Sequence, residues 1–380
     1  MNIFKKNTTI AVITTVHDPN DTRIYHRQIA SLVKHGFNII YCCKEIPKTE
    51  LGVKIILLQQ FGNKILRILL SPLGAFFTAL KLKEAQVFHL HDPELIITGL
   101  LLKLFGKKVV FDLHEDVPSQ ILTKNWIAPF LRRFVSRLYS RLESFSLKWF
   151  DLVITVTQPI VDRLKANGIQ KISMVRNFPI KNELVSSEWK AMATRNYDAV
   201  YLGEASVPRG LKIMVEAVLE SEKIQSLLIM GRLNPEDFLQ NYKTHKNFSR
   251  INYVGTKNRK EVAQLLNDSK IGIVPLPGNP NNLVGYPTKL FEYMSCSLPV
   301  IASDLPLIKE INDVAHCALL YSSESSLELK KRLDELIDDA DLLDELGKNG
   351  RLAIDSVYSW EAEEKQLFEL YESLLILENK

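Results

Sequence analysis

Three groups of residues combine types and spacings that suit chemistry on a phosphorylated ligand. The first lies between Ile271 and Asp304, IGIVPLPGNPNNLVGYPTKLFEYMSCSLPVIASD. A β-branched run, Ile271 to Val274, passes through a Pro/Gly/Asn loop into Thr288 to Cys296, where Leu290, Phe291 and Met294 have helical spacing; Pro299 to Ala302 then reads as the next strand. In an open α/β sheet this puts the loop and the helix N-terminus at the carboxyl ends of the strands, where free N–H groups and the helix dipole favour phosphate. Glu292, one turn into the helix, is close enough to accept hydrogen bonds from a ribose; a packed helix with an exposed acid is the plainer reading of that spacing. The second group is the glycine turn GEASVPRG, Gly203 to Gly210. An N–H-rich loop followed by a helix with Arg209 at its start can hold a diphosphate and neutralise it as it leaves. The third group is spread over strand ends in the first half. His17, Asp21, Arg23 and His26 follow the first strand, and His91 and Asp92 stand where a later strand hands over to a helix with Pro93 in its first turn. Asp112, His114 and Glu115 gather at the end of the next strand, where a carboxylate or imidazole can meet an acceptor hydroxyl. Asp21 as a helix cap, with the histidines on the surface, is the plainer alternative there.

The elements that must position these residues alternate along the chain. Thr9 to Thr15 reads as a first buried strand; Ile24, Ile29, Leu32 and Val33 share a helical face, Gly36 stops the helix, and Phe37 to Cys42 is the second strand. Val53 to Leu58, Val87 to Leu90, Val109 to Leu113, Leu152 to Val156 and Ile172 to Val175 continue the series. Residues 179–196 are polar without a clean period, as in a linker. A second series follows: strands Ala199 to Gly203, Ser226 to Gly231 and Ile251 to Gly255, with helices Arg209 to Glu220 and Glu261 to Asn267. Two successive Rossmann-like halves are what this alternation predicts.

Bulk properties agree with a folded two-domain protein. The 380 residues exceed what one core usually holds, and 46% hydrophobic with 24% charged residues excludes a disordered chain. A formal net charge of +4 gives no global argument for nucleic acid. Cys42, Cys43, Cys296 and Cys317 show neither CxxC nor Cys/His metal spacing, so reduced thiols are expected. The N-terminal apolar run reads as a strand rather than a secretion signal, and no apolar stretch reaches about 18 residues, so no transmembrane helix is expected.

Two helices also suit a membrane surface. Lys64 to Leu82 is strongly apolar with basic residues at its ends. Trp126 to Phe150 carries Arg132, Arg133, Arg137, Arg141 and Lys148 against the single acid Glu143, interleaved with Phe130, Phe134, Leu138, Tyr139 and Phe145. A basic amphipathic helix with aromatics fits an anionic leaflet; a solvated helix with an apolar underside shows the same pattern.

PTKLFEYMSCSLPVIASD resembles the nucleotide-sugar signature of glycosyltransferases of the two-Rossmann-domain (GT-B) architecture, particularly the large retaining family four, in which Pro-x-Lys-(Leu/Phe)-Phe-Glu-(Ala/Tyr)-Met precedes a Gly-x-Pro-Val strand. The resemblance extends to the Asp-x-Arg opening at Asp21 to Arg23, the His-(Asp/Glu)-Pro setting of His91, the D-x-HE at Asp112 to Glu115, and the terminal Ser-Trp helix. It implies that Gly203, Gly210, Pro287, Thr288, Lys289, Leu290 and Glu292 bind the donor. Gly231-Arg232 and Gly255-Thr256 resemble the family's base-binding turns. His91, Arg209, Lys289 and Glu292 are implied as catalytic, with His91 beside the donor sugar, and His17, Asp21, Arg23, His26, Asp112, His114 and Glu115 as acceptor-binding. Two departures stand out: Glu204 occupies the early arginine position of the glycine turn, and Val284 the first position of the family's Glu-x7-Glu motif.

The expectation is therefore an α/β protein of two Rossmann-like doubly wound domains facing a central cleft. Residues 1–178 would form the N-terminal acceptor-binding domain, 179–196 a linker, 197–355 the nucleotide-sugar-binding domain, and 356–380 a helix packing back on the N-terminal domain. The resemblance implies a metal-independent, retaining hexosyltransferase. It would take its sugar from a nucleotide diphosphate donor, UDP or GDP, as co-substrate, with no cofactor. A glycan or lipid-linked acceptor in cell-surface polysaccharide synthesis would receive it, at the inner face of the cytoplasmic membrane, without nucleic acid. A nucleotide-sugar 2-epimerase of the same fold and a weakened nucleotide-binding partner subunit are the alternatives.

Overall fold

The computed structural model describes residues 8–48, 50–124, 126–184 and 190–376. The chain divides into two compact units, Met1–Asn177 with Ala362–Lys380, and Phe178–Glu361.

The first unit is built on seven parallel strands: β1 (Thr9–Ile13), β2 (Asn38–Cys43), β3 (Lys54–Leu57), β4 (Ala85–Leu90), β5 (Lys108–Leu113), β6 (Leu152–Thr155) and β7 (Ile172–Met174). Their order is β3-β2-β1-β4-β5-β6-β7. The inner strands are apolar on both faces because helices cover both sides. The order reverses between β1 and β4, and a crevice opens at such a switch point, outside the carboxyl ends of the strands. The chain leaves β1 through residues 14–20 into a wide helical turn, Thr22–Ile29, which runs on into α1 (Ala30–Lys34). Asp21 starts that turn: its carboxylate accepts from the backbone N–H groups of Arg23 and Ile24. Next come α2 (Lys64–Lys81), α3 (Ile96–Leu104), α4 (Val117–Thr123), α5 (Pro129–Leu147) and α6 (Gln158–Ala166). Phe76 and Ala79 of α2, Leu102 of α3 and Leu147 of α5 bury one sheet face together with Ile13, Phe88, Phe111 and Phe150.

The second unit repeats the plan. Strands β8 (Tyr197–Leu202), β10 (Leu227–Met230), β12 (Ile251–Gly255), β13 (Ser269–Val274), β14 (Val300–Ser303) and β15 (Ala318–Tyr321) lie in the order β12-β10-β8-β13-β14-β15. A separate pair, β9 (Ala205–Ser206) and β11 (Leu233–Asn234), joins the two loops that follow β8 and β10. The helices are α7 (Leu211–Glu220), α8 (Arg259–Asn267), α9 (Thr288–Ser295), α10 (Pro306–Ala315), α11 (Ser326–Ile337) and α12 (Ala340–Ser356). Here the switch point falls between β8 and β13, so Gly203 and the start of α9 stand at it. Helix α7 starts two residues later than the spacing predicts, after a tight turn at Val207–Arg209. Gly210 forces this: its φ is +82°, and a Cβ there would lie 1.6 Å from the Pro275 carbonyl oxygen.

The last helix, α13 (Trp360–Ile376), belongs to the first unit from Ala362 onward. Its Phe368 ring stacks on His35 and its Tyr371 hydroxyl lies 2.7 Å from Nδ1 of His89 on β4.

Candidate active site

At the switch point of the second unit the glycine turns stack. Gly203, Gly231 and Gly255 end or follow β8, β10 and β12, linked by backbone bonds from Gly203 N–H to Met230 O at 2.9 Å and from Gly231 N–H to Gly255 O at 2.8 Å. A Cβ on Gly231 would sit 2.1 Å from the Gly203 carbonyl oxygen, so only glycine allows the turns to lie this close. Into this floor reaches Lys289, from the first turn of α9. Its residue is 6% exposed, its Nζ lies 3.8 Å from the centroid of the Tyr201 ring, and it has no hydrogen-bond partner among the described residues. Burial, with Arg209 nearby, pushes its pKa well below the ordinary lysine value; Glu292 and Glu204 oppose that shift without cancelling it. A buried ammonium without a counter-ion is costly, and an anionic ligand at this point supplies what the protein leaves out.

The other donor-side residues fall around it. Pro287 occupies the cap position of α9, Thr288 is exposed, and Leu290 is core rather than surface. Glu292 is not a free acid: Arg259, at the start of α8, donates to it at 2.6 Å and to Glu183 at 2.6 and 2.9 Å. Arg259 escaped the sequence reading because it belongs to no motif; only the adjacency of α8 and α9 behind β13 brings it in. Arg209, Arg232 and Thr256 are exposed at the turns. Glu204 is exposed as well, and its carboxylate accepts from Asn234 Nδ2 at 3.3 Å. Val284 lies in the loop between β13 and α9, its backbone N–H 3.4 Å from the Asn281 carbonyl.

The first unit holds a small pocket lined among others by His17, His91, Asp112, His114, Glu115 and Tyr139. Its wall is an ion-pair lattice. Arg23 forms a two-pronged pair with Asp112, both contacts 2.9 Å, and also donates to the Val175 carbonyl at 3.0 Å. Gln28 adds a third donor to Asp112 at 2.6 Å. Asp112 and Arg23 are both buried, and this surrounding of donors holds the carboxyl far below the usual range against the cost of burial. Asp92 accepts from His17 Nδ1 at 2.5 Å, from Thr14 Oγ1 at 2.8 Å and from the backbone of Thr15 and Val16. Burial opposes charge on His17, but the hydrogen bond to Asp92, Asp92's charge, and those of Asp21 and Glu115 outweigh it and raise its pKa to about 9. His17 is therefore an imidazolium at neutral pH.

That charge sets the tautomer of its neighbour. His17 Nε2 lies 3.0 Å from His114 Nε2, and burial lowers the pKa of His114. The charged ring must donate, the neutral ring must accept on Nε2, and the remaining proton of His114 sits on Nδ1. Nδ1 of His91 lies 3.4 Å from the Asp112 carboxylate, while Nδ1 of His114, Nε2 of His91 and the hydroxyl of Tyr139 are buried without a hydrogen-bond partner among the described residues. Each such atom costs ~1–3 kcal/mol when left unpaired, and each is able to hydrogen-bond a group that enters the pocket.

Of the residues proposed for the acceptor, His17, His114, Glu115 and Asp112 line this pocket, with His91 beside them. Asp21 is the helix cap, Arg23 is committed to Asp112, and His26 packs edge-on against Tyr25. Tyr139 joins the site unforeseen, and Asp92, placed with His91 at the strand end by the sequence, enters it as the partner of His17. Tyr371 is likewise unforeseen here; its hydroxyl fixes His89, the ring 4.2 Å behind His91. His89, His91 and Asp112 offer ligand atoms within 4.8 Å of one another, but Arg23 already takes both oxygens of Asp112 and its charge opposes a metal ion there.

The family model for Glycosyltransferase Family 4 matches residues 22–178, and that for Glycosyl transferases group 1 matches residues 189–353. An uncharacterized glycosyltransferase of Methanocaldococcus jannaschii is 25% identical over 224 residues, a match spanning 59% of this chain and 60% of that protein's length. Among solved structures, a sucrose-phosphate synthase from Thermosynechococcus elongatus superposes with a TM-score of 0.80 at 18% identity, covering 97% of this chain and 100% of the other. Anabaena HepE in complex with UDP-glucose superposes with a TM-score of 0.74 at 14% identity, covering 96% and 99%. The signature around Lys289, the two doubly wound sheets and these matches agree: the chain belongs to the GT-B glycosyltransferases and is family-four-like.

Proposed function

We propose that this protein transfers a hexose from a nucleotide diphosphate sugar to a glycan or lipid-linked acceptor in cell-surface polysaccharide synthesis, with retention at the anomeric carbon and without a metal. The buried, unpartnered Lys289 carries this reading. A dry ammonium at the strand ends, beside glycine turns that leave room for a ligand, suits the charge that develops on a departing diphosphate. Arg209, exposed on the turn before Gly210, adds a second cation, and the start of α9 adds backbone dipole. Uridine is the first choice of base, since HepE of similar fold is seen with UDP-glucose. His91 is proposed beside the transferred sugar, and His17, His114 and Glu115 beside the acceptor.

The membrane reading is supported by one face of the first unit. Helix α2 packs on α3, and α3 on α5. Leu69 and Phe77 of α2, Leu104 of α3, and Phe130 (81% exposed) and Phe134 (64%) of α5 are each exposed. Arg133, Arg137, Arg141 and Lys148 are exposed among them, and near an anionic leaflet each is worth about 1 kcal/mol. No helix among the described residues is long and apolar enough to cross a membrane. A peripheral place on the inner face of the cytoplasmic membrane follows.

The test is thermal stabilisation by UDP, GDP, ADP and TDP, each with and without sugar, comparing wild type with Glu292→Ala. A shift with one nucleotide, weakened in the variant, supports the donor site; no shift with any of them removes it. Co-sedimentation with anionic but not zwitterionic vesicles tests the membrane face separately.

A further inference from the structure

Helix α5 carries two unlike faces. Inward, Tyr139 closes the pocket beside His114, Glu115 and Val117, and its buried hydroxyl has no hydrogen-bond partner among the described residues. One turn further on, Glu143 pins the helix in that orientation by accepting from Arg163 of α6, which also reaches Asp116, the cap residue of α4, at 3.0 Å. Outward, Phe134, Leu138, Leu142 and Phe145 recur at helical spacing, all exposed, with Trp126 before the helix and Trp149 just after it also exposed. A helix is only about 10–12 Å across, so the pocket and the apolar stripe are separated by little more than one sugar and its linking group.

A water-soluble acceptor gives no reason for the apolar stripe to share a helix with the pocket; an amphiphilic one does. The basic residues between the aromatics favour an anionic surface, tryptophans at both ends suit the headgroup layer, and the pocket presents Nδ1 of His114, Nε2 of His91 and the Tyr139 hydroxyl, without partners among the described residues, to sugar hydroxyls. We propose that the acceptor is a lipid-linked sugar whose head enters the His91–His114–Tyr139 pocket past α5 while its chain stays in the leaflet held by the outer face of the same helix. Tyr139 hydrogen-bonds the head. This rests on the transferase and membrane readings above, and it narrows them to one acceptor class.

The experiment supplies a radiolabelled UDP-hexose panel with two acceptor pools from the cells the protein comes from: the membrane lipid extract reconstituted in anionic vesicles, and the water-soluble glycan fraction. Label is expected in product extractable into organic solvent, at least tenfold above the aqueous product. Tyr139→Phe, which removes only the hydroxyl, is expected to raise the KM for the lipid pool about three- to tenfold without changing UDP binding. Leu138→Asp is expected to abolish transfer on vesicles and to regain it when the same lipids are dispersed in detergent, which separates lost docking from lost folding. Label mainly in the aqueous product overturns the proposal while leaving the transferase reading intact. Vesicle binding with equal use of both pools overturns it while leaving the membrane reading intact. Label in neither pool, with UDP still bound, removes the transferase reading and the proposal with it.

Discussion

At the carboxyl ends of β1, β4 and β5 each fully buried charge has an opposite partner within hydrogen-bonding distance: Asp92 has His17, and Asp112 has Arg23. At the carboxyl end of β8, Lys289 is buried against a tyrosine ring and glycine backbone, and among the described residues its ammonium has no hydrogen-bond partner. Both sites sit at the switch point of a doubly wound sheet, so topology does not distinguish them. The difference is in what each leaves unsatisfied. The first unit cancels its charges internally and leaves neutral polar atoms open, which suits hydroxyl groups; the second leaves a cation open, which suits an anion.

The largest expected effect comes from undoing the internal cancellation. Arg23→Leu leaves Asp112 buried with Gln28 and His91 but without its guanidinium, and breaking a buried pair from one side costs ~3–5 kcal/mol. The check is the denaturant midpoint at pH 7. A loss below about 1 kcal/mol would show that the pair contributes little and that the first unit does not depend on charge cancellation.

Lys289→Met does the opposite on the other side. Removing an unpartnered buried cation is expected to leave the fold unharmed or slightly more stable, while nucleotide-sugar affinity falls about 10- to 100-fold, as for loss of a charge-assisted hydrogen bond. The depressed pKa adds a sharper readout. A diphosphate beside Lys289 opposes the depression of its pKa, so binding shifts the lysine towards its protonated form. Calorimetry of UDP at pH 8 in phosphate and in Tris should therefore give different heats for wild type and equal heats for the variant. Equal heats for wild type would mean that Lys289 is already charged, and the contrast between the sites would fall.

His17 gives a pH signature to the first unit. Its pKa is raised from 6.5 to about 9, so the stability gained from its bond to Asp92 is complete below pH 6.5 and is lost as the pH rises through about 9. That loss is on the order of 2–3 kcal/mol, and it should vanish in His17→Asn. Unfolding free energies between pH 6 and 10 measure it. A flat profile in wild type would leave the tautomer of His114 without its cause.

How much of this was legible beforehand differs between the sites for a physical reason. The donor residues Pro287 to Glu292 are consecutive on one helix, and the glycine turns end strands that the alternation of apolar runs marks clearly, so local pattern suffices. The pocket of the first unit is assembled by lateral strand order: His17 meets Asp92 because β1 and β4 are neighbours, and Arg23 meets Asp112 across 89 residues of sequence. The residues could be nominated from their positions at strand ends, but their pairing could not, and so Arg23 and Asp112 read as ligand contacts when they form the wall. Tyr139 was noticed only as one aromatic in an amphipathic stripe, since the side of α5 it occupies depends on Glu143 finding Arg163. Arg259 gives no signal at all, and Tyr371 reads only as part of the packing face of the terminal helix, because each acts through a contact between elements distant in sequence.

The smallest expected effect concerns the residue that looked most damaging from sequence. An acid at Glu204, where relatives of the signature place arginine, suggests repulsion of a diphosphate. In the structure the residue is exposed, its carboxylate is tied to Asn234, and its backbone carbonyl accepts from the Tyr201 hydroxyl at 2.7 Å. Its useful contact is thus the backbone one, which no substitution of the side chain removes. Solvent screening further weakens the reach of its charge. Glu204→Gln should therefore change UDP affinity by less than about threefold, with the gain largest at low salt. An increase of tenfold or more would mean that the carboxylate acts on the ligand directly. Lys289 would then not be an uncompensated cation, because the acid would be its counter-charge once a ligand closes the site, and the two strand-end sites would handle charge alike.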